Sequence, residues 1–283
     1  MQMRTRYGWV RQGLSGAGCA AALLVLPGVA HGQTLDDKYW IEISGYWPDV
    51  DSKVQVANVA HPNIATEIDL ESDLDLSDRK VLPAVNAGVR LGHFVLAAEY
   101  YSLRRSNSHA IERDLTFDDV TYPVGATVSS EFNSDIYRFT VGYDIVKQEN
   151  VEFGLALGAH VTNFEVGLSG QATVSGSPVL TTEARKKSVL APLPTLGAYG
   201  AVKLVPRLML SGRVDWLSVK IDDYKGRLWN VQAEINYRIF KNVGIGVMYR
   251  YVDYRLDADK EKWTGSMTYR FSGPAAVLRI GFK

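Results

Sequence analysis

Trp229-Asn230-Val231-Gln232-Ala233-Glu234-Ile235-Asn236-Tyr237-Arg238-Ile239 divides into two sets of side chains. Trp229, Val231, Ala233, Ile235, Tyr237 and Ile239 form one set, and Asn230, Gln232, Glu234, Asn236 and Arg238 the other. A helix would mix them on its surface. A strand, with its period of two, places them on opposite faces.

The same alternation recurs along the chain, and tight connections set the strand count. Gly92-His93 separates Val81–Leu91 from Phe94–Leu103, and Lys147–Asn150 separates Phe132–Val146 from Val151–Val161. Val205-Pro206-Arg207 separates Ser188–Leu204 from Leu208–Lys220, and Lys241-Asn242 separates Leu228–Phe240 from Val243–Tyr254. Tyr39–Trp47 and Thr264–Phe282 complete ten strands, with 8 or 12 as the neighbouring even counts. Longer polar stretches near 49–80, 104–130 and 167–187, and shorter ones near 221–226 and 257–263, alternate with the tight turns. This is the pattern of an all-β fold, a single antiparallel transmembrane β-barrel with short periplasmic turns and long extracellular loops. Aromatics gather at strand ends: Tyr39, Phe94, Phe153, Phe240 and Phe282 on the turn side, Trp47, Tyr100, Tyr137, Trp216 and Trp229 on the loop side. They predict two interfacial girdles. The alternation slips near Tyr251–Tyr254 and Phe271–Gly273, which predicts either a bulge or strands that run beyond the membrane. Pro192 and Pro194 remove ladder donors and predict a local irregularity.

Residues 1–32 have the pattern of a cleaved signal peptide: basic Arg4, Arg6 and Arg11, an apolar centre over 20–26, and small residues at Ala30-His31-Gly32. That leaves 33–283 as one barrel domain. Cys19, the sole cysteine, lies in this leader, so the remainder holds no disulfide and no thiolate metal site. Removing those three arginines from 31 basic residues leaves 28 against 31 acidic ones, a net charge of −3 that gives nucleic-acid binding no support. A soluble lipocalin-like barrel would carry the same alternation turned inside out. The leader, the missing disulfides, the aromatic strand ends and the loop asymmetry favour the membrane.

Two segments resemble features of small bacterial outer-membrane β-barrel proteins. Ala275-Ala276-Val277-Leu278-Arg279-Ile280-Gly281-Phe282 is similar to their terminal assembly signal, although Lys283 follows the aromatic Phe282. Thr66-Glu67-Ile68-Asp69-Leu70-Glu71-Ser72-Asp73-Leu74-Asp75-Leu76 is similar to their acidic first loop. The resemblance implies residence in a bacterial outer membrane and insertion by the barrel-assembly machinery. It also implies contact with outer-membrane lipid and lipopolysaccharide, and loops open to an extracellular ligand.

Six arginines fall on the expected interior face: Arg90, Arg138, Arg213, Arg238, Arg250 and Arg279. Glu42, Glu99, Asp144, Glu152, Asp215 and Glu234 fall there too. A selective pore shows an excess of one sign at its constriction. An even count predicts mutual neutralisation, and about ten strands enclose little more than side chains can fill. The carboxylates Glu67, Asp69, Glu71, Asp73 and Asp75 occupy every second position and would share one face of an extended strand. Hard cations favour such oxygen clusters, but the spacing lacks the mid-loop glycine of an EF-hand. A solvated loop whose leucines pack on a neighbour is the expectation. His160 sits alone on a polar strand face, with no Asp-x-His and no Gly-x-Ser-x-Gly elsewhere, and is read as structural. No catalytic, cofactor or metal motif is expected. The sequence therefore predicts a non-enzymatic envelope or surface protein with a charge-paired, largely occluded lumen. The alternatives are a narrow porin-like channel for small solutes or ions, and an outer-membrane enzyme that modifies lipid or peptide.

Overall fold

Alternation along each strand becomes a wall with two faces once the strands pair edge to edge. A computed structural model describes residues 35, 37–60, 65–174, 179–221 and 223–283. The leader expected over 1–32 lies outside the described residues. Fourteen strands follow in order: β1 Tyr39–Tyr46, β2 Asp49–Asn58, β3 Ile68–Asp69, β4 Leu82–Leu91, β5 Phe94–Ala110, β6 Leu115–Phe117 and β7 Val120–Tyr122. The remainder are β8 Thr127–Lys147, β9 Val151–Val174, β10 Thr181–Val205, β11 Leu208–Ile221, β12 Tyr224–Arg238, β13 Val243–Asp259 and β14 Trp263–Phe282.

Ten of them close a ring in the order β1-β4-β5-β8-β9-β10-β11-β12-β13-β14, and β14 returns to β1. Every pairing in the ring is antiparallel. Closure leaves the ring without an edge, which is what a sheet in hydrocarbon requires. The ten expected strands are these ten. β2 continues β1 along β14 in the same register, after a break at Trp47-Pro48 where proline lacks a donor.

The outer surface carries the apolar set. Ile41, Val85, Phe139, Leu155, Leu196, Ile235, Val247 and Leu278 are all exposed, as are all ten expected girdle aromatics. On β13 this belt runs from Val243 to Tyr251, and on β12 from Trp229 to Tyr237, close to the 9–11 residues of a tilted spanning strand.

The strands overrun that belt, and the polar stretches expected as loops are mostly strand. β8 begins at Thr127, and β9 and β10 together continue to Val174 and back from Thr181. Above Tyr251 the outward positions of β13 become Asp253, Arg255 and Asp257, while Val252, Tyr254 and Leu256 point inward. The register between β13 and β14 never shifts, so the apparent slips are not bulges. Side-chain direction stays constant and polarity inverts, because the outer face now meets water. Pro192 and Pro194 leave the β9 ladder in register as well. They sit where β10 parts from β11, whose last mutual pair at this end is Leu196 and Trp216.

Close packing at the turn end includes an aromatic seated over a glycine. Trp40 points inward, pairs with Gly88 across β1 and β4, and donates Nε1 to Asn86 Oδ1 at 3.1 Å. A Cβ on Gly88 would lie 2.1 Å from the indole. Gly88→Ala is expected to lower the urea midpoint of the vesicle-folded barrel by an amount worth about 1–3 kcal/mol, the usual cost of overpacking. An unchanged midpoint would show that the Trp40 seat carries no packing energy.

Candidate functional site

The interior holds two chemically distinct layers, both set by which residues occupy inward positions at a given height. Toward the turns lie the charges. Arg238 pairs with Asp37, and Arg279 lies between Asp37, at 3.6 Å, and Glu42. Arg90 pairs with Glu152 and approaches Asp144 at 3.8 Å, while the Tyr199 hydroxyl donates to Asp144 at 2.6 Å. Higher up, Arg138 on β8 reaches Glu99 on β5 and Asp215 on β11, and Arg250 on β13 reaches the same Glu99. Arg213 holds Asp215 at 2.8 Å, and Arg250 donates to Gln232 Oε1 at 2.9 Å.

Two of these contacts, Arg138 to Asp215 and Arg250 to Glu99, cross the lumen. β9 and β10 separate β8 from β11 in the ring, and β14, β1 and β4 separate β13 from β5. A guanidinium suits such bridges, because one planar fork can hold two carboxylates and never loses its charge. The six interior arginines all find carboxylates, and Glu42, Glu99, Asp144, Glu152 and Asp215 each find an arginine. Among the described residues Glu234 makes no ion pair and instead accepts from Asn236 Nδ2 at 3.2 Å. Beneath the crossing pairs remains a polar cavity of about 140 Å³, which Leu35 helps to close.

Sequence reasoning missed Asp37, because it lies ahead of the first alternating strand. Its carboxylate is only 1% exposed, and Lys38 N donates to Phe282 O at 2.6 Å, so this short segment folds across the barrel end. Gly281 leaves it room, since a Cβ there would meet the Asp37 carboxylate at 2.0 Å. Phe282 itself points outward at the same end and pairs with Tyr39.

Above the charges lies an aromatic layer that sequence reasoning did not foresee. Tyr46, Tyr101, Phe132, Phe164, Tyr254, Tyr269 and Phe271 are all buried. Tyr269 and Phe271 have ring centroids 5.0 Å apart, Phe164 and Tyr254 5.2 Å, and Phe132 and Tyr269 5.6 Å. Each such pair adds about 0.5–1.5 kcal/mol beyond the area it buries. Arg250 over Tyr101, at 5.3 Å, joins this layer to the charged one. His160 lies within it, 2% exposed, with its ring 5.9 Å from Tyr254.

The acidic first loop completes the filling, and here the expectation needs correction. Only Ile68 and Asp69 extend, pairing with β2; the chain then turns, so the alternating carboxylates do not share one face. Ile68, Leu70, Leu74 and Leu76 are buried in the core of the upper barrel rather than resting on an outside neighbour. Glu71 follows them inward, accepts from Ser52 N at 2.8 Å and pairs with buried Arg105. Partial burial pushes the Asp69 carboxyl up, but the Ser72 donors and Lys53, 3.3 Å away, outweigh it and hold it below the usual carboxylate range. Among the described residues no three carboxylates, histidines or cysteines form a group able to hold a metal ion. The β6–β7 hairpin adds Leu115, Phe117, Val120 and Tyr122, all fully buried, and docks on the end of β9.

Arg238→Ala leaves buried Asp37 with Arg279 alone, at 3.6 Å. Removing one partner of a buried pair is expected to destabilise the barrel by about 3 kcal/mol. A urea titration of the refolded barrel measures it, and a dye-release assay reads any leak. Unchanged stability together with unchanged permeability would show that the pair is not structural.

Taken together, the closed ring, apolar belt, aromatic girdles and paired interior charges make a β-barrel of the outer-membrane type. No protein-family model matches the sequence, and no curated protein matches it. Solved structures similar to it are membrane barrels. The transport unit of the autotransporter AIDA-I from Escherichia coli matches at 8% identity and TM-score 0.41, over 87% of this chain and 90% of that one. A Pseudomonas aeruginosa FadL homologue matches at 9% identity and TM-score 0.36, over 87% and 91%. Neisserial surface protein A matches at 13% identity and TM-score 0.27, over 87% and 97%. Neither ligand nor activity transfers at such levels.

Proposed function

We propose that this chain is a non-enzymatic envelope protein of a Gram-negative outer membrane, acting through its extracellular extension and closed along its axis. What supports this reading is the filling of the interior at two levels. Arginine–carboxylate bridges cross the lumen through Glu99 and Asp215, and an aromatic layer sealed by the first loop and the β6–β7 hairpin lies above them. Ten strands leave room for little else. In this reading residues 33–283 are the mature barrel domain, released from a leader over 1–32, and Phe282 is the signal read by the barrel-assembly machinery. The interior charges serve stability rather than selectivity. Unpaired, they would be costly in so confined a space.

Single-channel recording in a planar bilayer under a salt gradient tests the reading, with folding verified beforehand by heat-modifiable gel migration. Folded protein is expected to remain silent. Steady openings with a defined reversal potential would overturn the occluded lumen in favour of a narrow channel, and the sign of that potential would report its charge preference.

A further inference from the structure

Just outside the loop-side girdle, one sector of the outer wall carries cations set against each other. Trp216 and Trp229 pair directly across β11 and β12, with ring centroids 6.3 Å apart, and both face outward. The next outward residue on β12 is Arg227, about 6.6 Å further along the strand. It stands opposite Arg255 of β13. Lys220 of β11, one outward position further up, stands opposite Lys225 of β12. All four are exposed, and among the described residues none makes an ion pair. Asp257 lies across from Lys225 on the ladder, also without an ion pair, and Asp253 turns to Arg270 at 3.9 Å.

Like charges directly opposite each other destabilise a ladder. Elsewhere on the outer wall above the belt this barrel avoids them. Arg104 pairs with Asp135 at 2.9 Å, Lys186 with Glu165 at 2.8 Å, and Arg270 also approaches Asp51 at 3.6 Å. The same sector is where the wall is broken. Beyond Leu196 and Trp216 the β11 edge has no ladder partner on the β10 side, and the exposed prolines 192 and 194 occupy the facing stretch of β10. Below the cations the outward surface is hydrocarbon-compatible at once: Val214, Val231, Tyr249 and Tyr251 are all exposed.

We propose that Lys220, Lys225, Arg227 and Arg255 form a docking site for the phosphates of an outer-leaflet glycolipid, whose acyl chains lie on the belt beneath Trp216 and Trp229. The site rests on the outer-membrane reading and gives its lipid partner an address. Depth commits the occupant to a lipid. The cations begin one outward position beyond interfacial tryptophans, where headgroups lie. Guanidinium pairs hold phosphate oxygens with charge-assisted, bidentate geometry, and a bound dianion turns the mutual repulsion of Arg227 and Arg255 into shared attraction.

Native mass spectrometry of the detergent-purified barrel, titrated with bisphosphorylated lipid A, tests the site. The wild-type barrel is expected to retain the lipid, and the double variant Arg227→Ala/Arg255→Ala to bind at least tenfold more weakly. Arg104→Ala, which alters a paired arginine on another sector, should bind as the wild type does. Removing both phosphates from the lipid should abolish the difference between the wild type and the double variant. Equal retention by the double variant, or equal binding of the dephosphorylated lipid, would overturn the proposal. Displacement by an equimolar amount of inorganic phosphate would assign the site to a free anion and overturn the lipid as its occupant. Density fractionation of cell membranes is run alongside. A barrel absent from the outer membrane breaks the location, whereas one that fractionates there without retaining lipid A breaks only the site.

Discussion

Peptide groups that cross hydrocarbon must pair within the protein, and everything else in this barrel follows from how it meets that demand. β1 pairs with β14 on one edge and β4 on the other, so the ring closes at ten strands. Strand number sets the bore. At about ten strands the bore is close to the size that side chains can fill. The six interior arginines all meet carboxylates, and two of the bridges, Arg138 to Asp215 and Arg250 to Glu99, join strands that are not neighbours in the ring.

The second organising feature is a change of solvent along one set of strands. Between the girdles the outside is lipid, so apolar residues face out and polar ones face in. Beyond Tyr251 the outside is water, and the same inward direction now carries Val252, Tyr254 and Leu256. The upper barrel is thus built like a soluble protein with a buried core, and the lower barrel like a membrane protein with a buried ion network. Tyr101 and Arg250 sit at the junction, where a cation over a ring lets the two interiors meet.

The ring was legible in the sequence wherever both faces kept their expected polarity. Trp229 to Ile239 is unambiguous for that reason, and the tight turns at Gly92-His93 and Pro206-Arg207 lie where they were read. Strand length was not legible. Above the belt the outer face of β8 and β9 turns polar, and a rule that looks for lipid-facing residues reads such stretches as loops. The interior charges were readable from parity alone, but Asp37 precedes any alternating pattern and only the fold brings it to Arg238. The aromatic layer was hidden differently. Phe132 and Phe164 come from the paired strands β8 and β9 and Tyr269 from β14, remote in sequence, and nothing local distinguishes an inward aromatic above the membrane from an outward one in a girdle. The leucines of the first loop were visible as a motif, but their burial depends on a gap between β2 and the upper part of β5 that no local pattern records.

The inversion of polarity along a single strand is the central claim, and site-directed spin labelling tests it most directly. With Cys19 in the expected leader, labels can be placed singly at Val247, Val252 and Arg255 of β13 in the reconstituted barrel. Collision with oxygen, which concentrates in lipid, and with a water-soluble nickel chelate would then be compared at each site. The account predicts that the label at Val247 collides with oxygen, the label at Arg255 with the chelate, and the label at Val252 with neither. Chelate access at Val247, or oxygen-dominated access at Arg255, would place the bilayer elsewhere on this barrel and contradict the account.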